Sequence, residues 1–213
     1  MKRHYFAAIV FAAATLVAPA ARAGATFDVS LDTTSISGTG GQIVFELIDG
    51  DGVADNNMSL SNFDLGGGTI DASADYLGST GVSGDLSGTI AMDDSGGGAL
   101  FTQLVTFGAS FMFELATTNA PGGVPDELAM ALYAPDFSAC FSDDQNTCTL
   151  LRLDLSGATL TPASFTLNGA SAEGLPAPVV TFASVPEPAP LLLLAAALIG
   201  LVPRERSRRE RRG

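Results

Sequence analysis

Seven stretches of this chain alternate apolar and polar residues with a period of two. They are "TFDVSLD" at 26–32, "GQIVFELI" at 41–48, "NMSLSNFDL" at 57–65, "ALFTQLVTF" at 99–107, "ASFMFELAT" at 109–117, "ELAMALYA" at 127–134 and "TLLRLDL" at 149–155. Successive side chains of a strand point to opposite faces, so this pattern predicts strands with one buried and one wet face. Glycines at 38, 40 and 41, at 66–68 and at 96–98, and "APGGVPD" at 120–126, punctuate the stretches as turns do. Between 24 and 184 no long, capped pattern of helical period occurs. The expected fold is therefore all-β: an antiparallel β-sandwich, jelly-roll-like, of about eight to ten strands. A right-handed β-solenoid, suggested by "GDLSGTI" at 84–90, is the alternative, but no fixed repeat period supports it. Phe27, Val29 and Leu31, with Val44, Phe113 and Leu115, are the expected inward faces.

Both ends of the chain depart from this pattern. Lys2 and Arg3, an apolar run at 5–17 and Ala21-Arg22-Ala23 make a secretory signal peptide over 1–23, with the cut expected before Gly24. At the other end, Val185-Pro186-Glu187-Pro188 precedes an apolar run at 190–202 and a tail at 204–213 that carries six arginines. Pro190 suits the first position of a helix, where its missing N–H costs nothing. Such a helix rises only about 20 Å against a hydrocarbon core of about 30 Å, which predicts a short transmembrane segment acting as a transient anchor. The arginines would hold its end on the cytoplasmic side. Prolines at 186, 188 and 190 keep the motif extended, with its backbone open to a processing enzyme. The ectodomain left between these ends, 24–184, is long enough for one core.

This ordered tail resembles the PEP-CTERM sorting signal, whose motif here is Val185, Pro186, Glu187 and Pro188. The resemblance implies an exosortase as processing partner in the inner membrane of a Gram-negative bacterium. It also implies cleavage near the motif and delivery through the cell envelope to the surface or extracellular matrix. In a biofilm matrix, exopolysaccharide is a further partner to expect, although an acidic one would be repelled unless cations bridged it.

From Gly24 to Val185 the chain has 20 acidic residues against the single basic Arg152, a net charge of −19. That surface repels phosphate backbones and acidic lipids, so nucleic acid is not expected as a partner. The only histidine, His4, belongs to the signal peptide, which leaves no Ser-His-Asp or Cys-His arrangement and no histidine-bound zinc. Glycoside hydrolysis by paired carboxylates is the remaining chemistry, yet Glu46 and Glu114 alternate onto wet faces. An enzyme is not expected. With no Trp, and only Tyr76 and Tyr133 as ectodomain tyrosines, an aromatic sugar platform is poorly supplied. The expected role is structural or adhesive, in envelope or biofilm. A binding module for neutral glycan or calcium is the alternative.

Cys140 and Cys148 are the only cysteines of an exported chain, so a disulfide closing a polar loop is expected, with free or redox-active thiols as the alternative. No cofactor is required by any motif. Calcium is the one candidate, because "LIDGDGVADNNM" at 47–58 offers oxygen donors at Asp49, Asp51, Asp55, Asn56 and Asn57 around Gly50 and Gly52. With Gly52 at the invariant glycine of a calcium loop, Asp49, Asp51 and Asp55 fall at the third, fifth and ninth positions. Leu47 and Met58 occupy the first and twelfth, where carboxylates belong. A solvated turn explains the same residues, since Asp, Asn and Gly are what turns need.

Overall fold

Phe27, Val29 and Leu31 alternate with polar residues along β1 (Ala25–Asp32), and each is at most 1% exposed. The same logic recurs throughout the computed structural model, which describes residues 24–117, 126–157 and 159–183. The six other predicted strands appear as β2 (Gly40–Ile48), β3 (Asn57–Asp64), β7 (Ala99–Thr106), β8 (Ser110–Thr117), β9 (Glu127–Tyr133) and β10 (Leu151–Asp154). Five further strands of two to four residues join them: β4 (Thr69–Ile70), β5 (Val82–Ser83), β6 (Ile90–Asp93), β11 (Phe165–Leu167) and β12 (Val179–Phe182). The described residues thus hold twelve strands, above the eight to ten expected, because brief pairings at sheet edges leave little periodic signal.

All the ladders are antiparallel and they build two six-stranded sheets, in the orders β12-β1-β8-β3-β6-β5 and β11-β10-β9-β2-β7-β4. Two antiparallel sheets exclude the solenoid alternative. Four of the shortest strands, β12, β5, β11 and β4, occupy all four sheet edges, so each edge offers few open backbone groups to a foreign strand. Where β3 runs beside β8 the register slips between Ser61 and Asp64, and Asn62 takes φ 56° there, a left-handed conformation that Asn adopts more readily than most residues. Among the described residues no helix is long and apolar enough to cross a membrane. The signal peptide at 1–23, the motif Val185, Pro186, Glu187 and Pro188, the apolar run at 190–202 and the arginine tail lie outside the described residues.

The inner faces meet through phenylalanine rings. Phe27 of the first sheet lies 4.9 Å from Phe165 of the second, and Phe113 lies 5.3 Å from Phe45, centroid to centroid, both edge to face. Burying each such side chain contributes about 1.5–3 kcal/mol. Phe27, Val29, Leu31, Phe113 and Leu115 are in this core as expected. Val44 is not. It is buried, but on the opposite face of β2, in a row with Ala131 and Thr102, while Ile43, Phe45 and Leu47 point inward. Three consecutive apolar residues at 43–45 made the parity of β2 ambiguous, and packing on Phe101 and Phe113 decides it for Phe45.

Candidate functional site

Aspartate is used here mainly to close turns. Asp32, Asp51, Asp64, Asp75, Asp85, Asp93, Asp136, Asp144 and Asp154 each accept the backbone N–H of the residue two positions on. Much of the acidity therefore has a local structural origin. In Asp71 and Asp85 the hydrogen bonds hold the carboxyl below its ordinary range, through the hydroxyls of Thr106 and Thr69 in one and Ser87 in the other.

Two aspartates behave differently. Asp94 and Asp126 are 2% and 5% exposed and accept hydrogen bonds from a distant part of the chain. Residues 49–56 carry the chain from β2 of the second sheet to β3 of the first. Asp126, just before β9, accepts the Gly50 N–H on Oδ1 at 2.7 Å and the Asn56 Nδ2–H on Oδ2. Asp94, just after β6, accepts the Asn56 and Asp55 N–H groups on Oδ2 at 3.0 and 3.3 Å. The crossover is thus held to β9's sheet by Asp126 and to β6's sheet by Asp94.

Around these bonds the acids crowd together. The nearest carboxylate oxygens of Asp49, Asp51 and Asp126 lie within 4.8 Å of one another, and so do those of Asp55, Asp94 and Asp126. Asn56 sits among them, 1% exposed, with Nδ2 donating to Asp55 Oδ1 at 2.9 Å as well as to Asp126. Its Oδ1 is buried with no hydrogen-bond partner. Four of the five predicted ligands, Asp49, Asp51, Asp55 and Asn56, are brought to this cluster. Asn57 is not, because it is the first residue of β3 and strand alternation turns it outward, exposed. Asp94 and Asp126 went unread in the sequence, for they lie in "MDDSGGG" and "PGGVPDE", which look like any other turn.

No known protein family, curated protein or solved structure matches this chain.

Cys140 and Cys148 are joined in a disulfide, with Cα atoms 5.7 Å apart. The bridge closes part of the long connection between the neighbouring strands β9 and β10. Ser142 Oγ donates to the Thr149 carbonyl at 2.7 Å within it, and Asp143 accepts the Ser171 N–H at 2.8 Å from outside.

Glu46 and Glu114, the carboxylates left open for glycoside chemistry, stand on the outer faces of different sheets. A sandwich about 10 Å thick between its sheets separates them. Glu127 is pushed above the usual carboxylate range, chiefly by burial, against the pull of Arg152. Arg152 Nε approaches Glu127 Oε1 to 2.9 Å, a close ionic contact rather than an aligned hydrogen bond. Among the described residues the exposed phenylalanines are Phe137, in the connection between β9 and β10, and Phe182, on β12.

Proposed function

We propose that this chain is an exported protein of the cell surface or extracellular matrix, sorted by an exosortase and serving a structural or adhesive role in envelope or biofilm. The observation that carries the reading is the strict order of its last 29 residues: Val185-Pro186-Glu187-Pro188, an apolar run, then six arginines. The Cys140–Cys148 disulfide supports it, since such bonds persist in oxidising compartments outside the cytosol. The separation of Glu46 from Glu114 supports a non-enzymatic role. We also read the sandwich as jelly-roll-like, since the chain changes sheet at each step from β1 to β5 and again from β6 to β9. The test is fractionation of the tagged chain in a host that carries an exosortase. Wild type should reach the surface or medium in shortened form, and the triple replacement Pro186→Ala, Glu187→Ala, Pro188→Ala should stay full-length in the inner membrane. Identical distribution and migration of the two would overturn the reading.

A further inference from the structure

We propose that the aspartates at the crossover between the sheets form a Ca²⁺ site, with Asp55, Asp94, Asp126 and the Asn56 side-chain oxygen as its inner donors and Asp49 and Asp51 at its mouth. Three observations converge on it, and none depends on how the protein is sorted.

The first is charge. Two triads of carboxylates, Asp49 with Asp51 and Asp55 with Asp94, share Asp126 as their common member, and Asp94 and Asp126 are almost fully buried. Arg152, the only basic residue between Gly24 and Val185, is engaged with Glu127 instead. Like charges at this spacing raise one another's energy in a low-dielectric setting, and protein groups supply only N–H donors to relieve it. A divalent cation neutralises what those donors cannot.

The second is Asn56. Its nitrogen already serves Asp55 and Asp126, so the side chain is anchored to two members of the inner triad. That oxygen is buried with no donor in reach. Buried polar atoms are rarely left so, and a carbonyl oxygen beside a carboxylate group is a normal calcium ligand.

The third is donor chemistry. Every available atom is oxygen, and the described residues bring no histidine or free thiol to the group, which argues against zinc and copper. The inner triad with the Asn56 oxygen, completed by Asp49, Asp51 or water, can supply the six to eight oxygens that Ca²⁺ takes in irregular geometry, whereas Mg²⁺ demands a near-ideal octahedron and keeps its waters. The nine turn-closing aspartates fill their role through bonds two residues away. Asp94 and Asp126 reach 38 and 76 residues along the chain to hold a loop that lies between two sheets. Calcium bound there would tie both sheets to the crossover at one end of the sandwich.

The full chain, stripped with EDTA and dialysed, is titrated calorimetrically with CaCl₂ and then melted. The expected result is one ion per chain, a Kd on the order of 10⁻⁴ M, and a melting midpoint about 5 °C higher in ~2 mM Ca²⁺. Mg²⁺ at the same concentration should give a smaller rise. In a ¹⁵N spectrum the Asn56 side-chain NH₂ pair should move on adding Ca²⁺, which locates the ion without any substitution. Asp94→Asn should weaken binding at least about tenfold, whereas Asp71→Asn, on an exposed edge, should leave it unchanged. Absence of both heat and thermal shift in the wild type up to about 5 mM Ca²⁺ would overturn the proposal. So would an unmoved Asn56 NH₂ pair, or equal shifts with Ca²⁺ and Mg²⁺, the mark of diffuse attraction to an acidic surface.

Discussion

Asp28 faces Glu114 directly across the β1–β8 ladder, in a row that runs Thr181, Asp28, Glu114, Ser61 over the outer face of the first sheet. Like charges placed opposite one another in this way oppose pairing. Glu114→Gln keeps the shape and should stabilise the fold by about 0.5 kcal/mol. Urea denaturation measures this, and the gain should shrink in about 1 M salt, where screening already relieves the repulsion. No gain at low salt would show that the pair is solvated well enough to cost nothing, and a loss would show that the Asn62 contact to Glu114 outweighs the repulsion.

The disulfide closes a loop with a sequence separation of 8. In the chain-entropy account a ring this small contributes about 2.6 kcal/mol by restricting the unfolded chain. Replacing both Cys140 and Cys148 with Ser should lower the denaturation free energy by about that amount. The same deficit should appear when the wild type is melted in reductant.

Burial raises the Glu127 carboxyl, Arg152 pulls it back, and Asp154 and Glu46 push it up again. Arg152→Met removes the one favourable charge, so the Glu127 titration midpoint should climb further, which carboxyl ¹³C shifts can follow. A carboxyl whose folded pKa lies above its unfolded one favours the fold at low pH and loses that contribution as pH rises through the folded value. The variant should therefore be weakened most near neutral pH, by no more than about 1 kcal/mol because the Arg152 side chain is 40% exposed and its charge is screened. As pH falls below the ordinary glutamate range, wild type and variant should converge.

Gly84 holds φ +91°, and a Cβ there would lie 1.9 Å from the Thr89 carbonyl oxygen. Backbone on both sides of a tight turn cannot yield, so Gly84→Ala should cost about 2 kcal/mol or more. Gly88, in the same turn, has open space around its Cβ position, and Gly88→Ala should be tolerated. Melting temperatures of the two variants make the comparison, and equal losses would contradict it.

Alternation alone was enough to find seven of the strands, because most of them, like β1, bury one face in the phenylalanine core and leave the other more exposed. It failed where that asymmetry is missing. In β2, Val44 is covered by its cross-strand neighbours Ala131 and Thr102, so both faces read as apolar and the parity was lost. The two-residue strands β4 and β5 are too short to carry any period at all. At the crossover, Asp49, Asp51, Asp55 and Asn56 were visible because they are contiguous, and contiguity also drew in Asn57, which the strand turns away. Asp94 and Asp126 were invisible for the opposite reason: ladder pairing, not sequence, brings them there. Asn57 is opposite Asp93 and Ile48 is opposite Glu127, so the residues adjoining those pairs meet at the ends of the strands.

β1 lies between β8 and β12, so among the described residues the first strand to be synthesised is hydrogen-bonded on one flank to the last. Its neighbours are contributed by residues 110–117 and 179–182. Nearly every ladder in the sandwich joins segments far apart in sequence, a topology that slows folding because loop closure precedes reward. A nascent chain ending before Val179 would still expose one flank of β1, and with it the unpaired amides that invite association with other chains. Completion of this fold thus waits on its final described strand, and a stop codon just before Val179 should be far more harmful than the small size of β12 suggests.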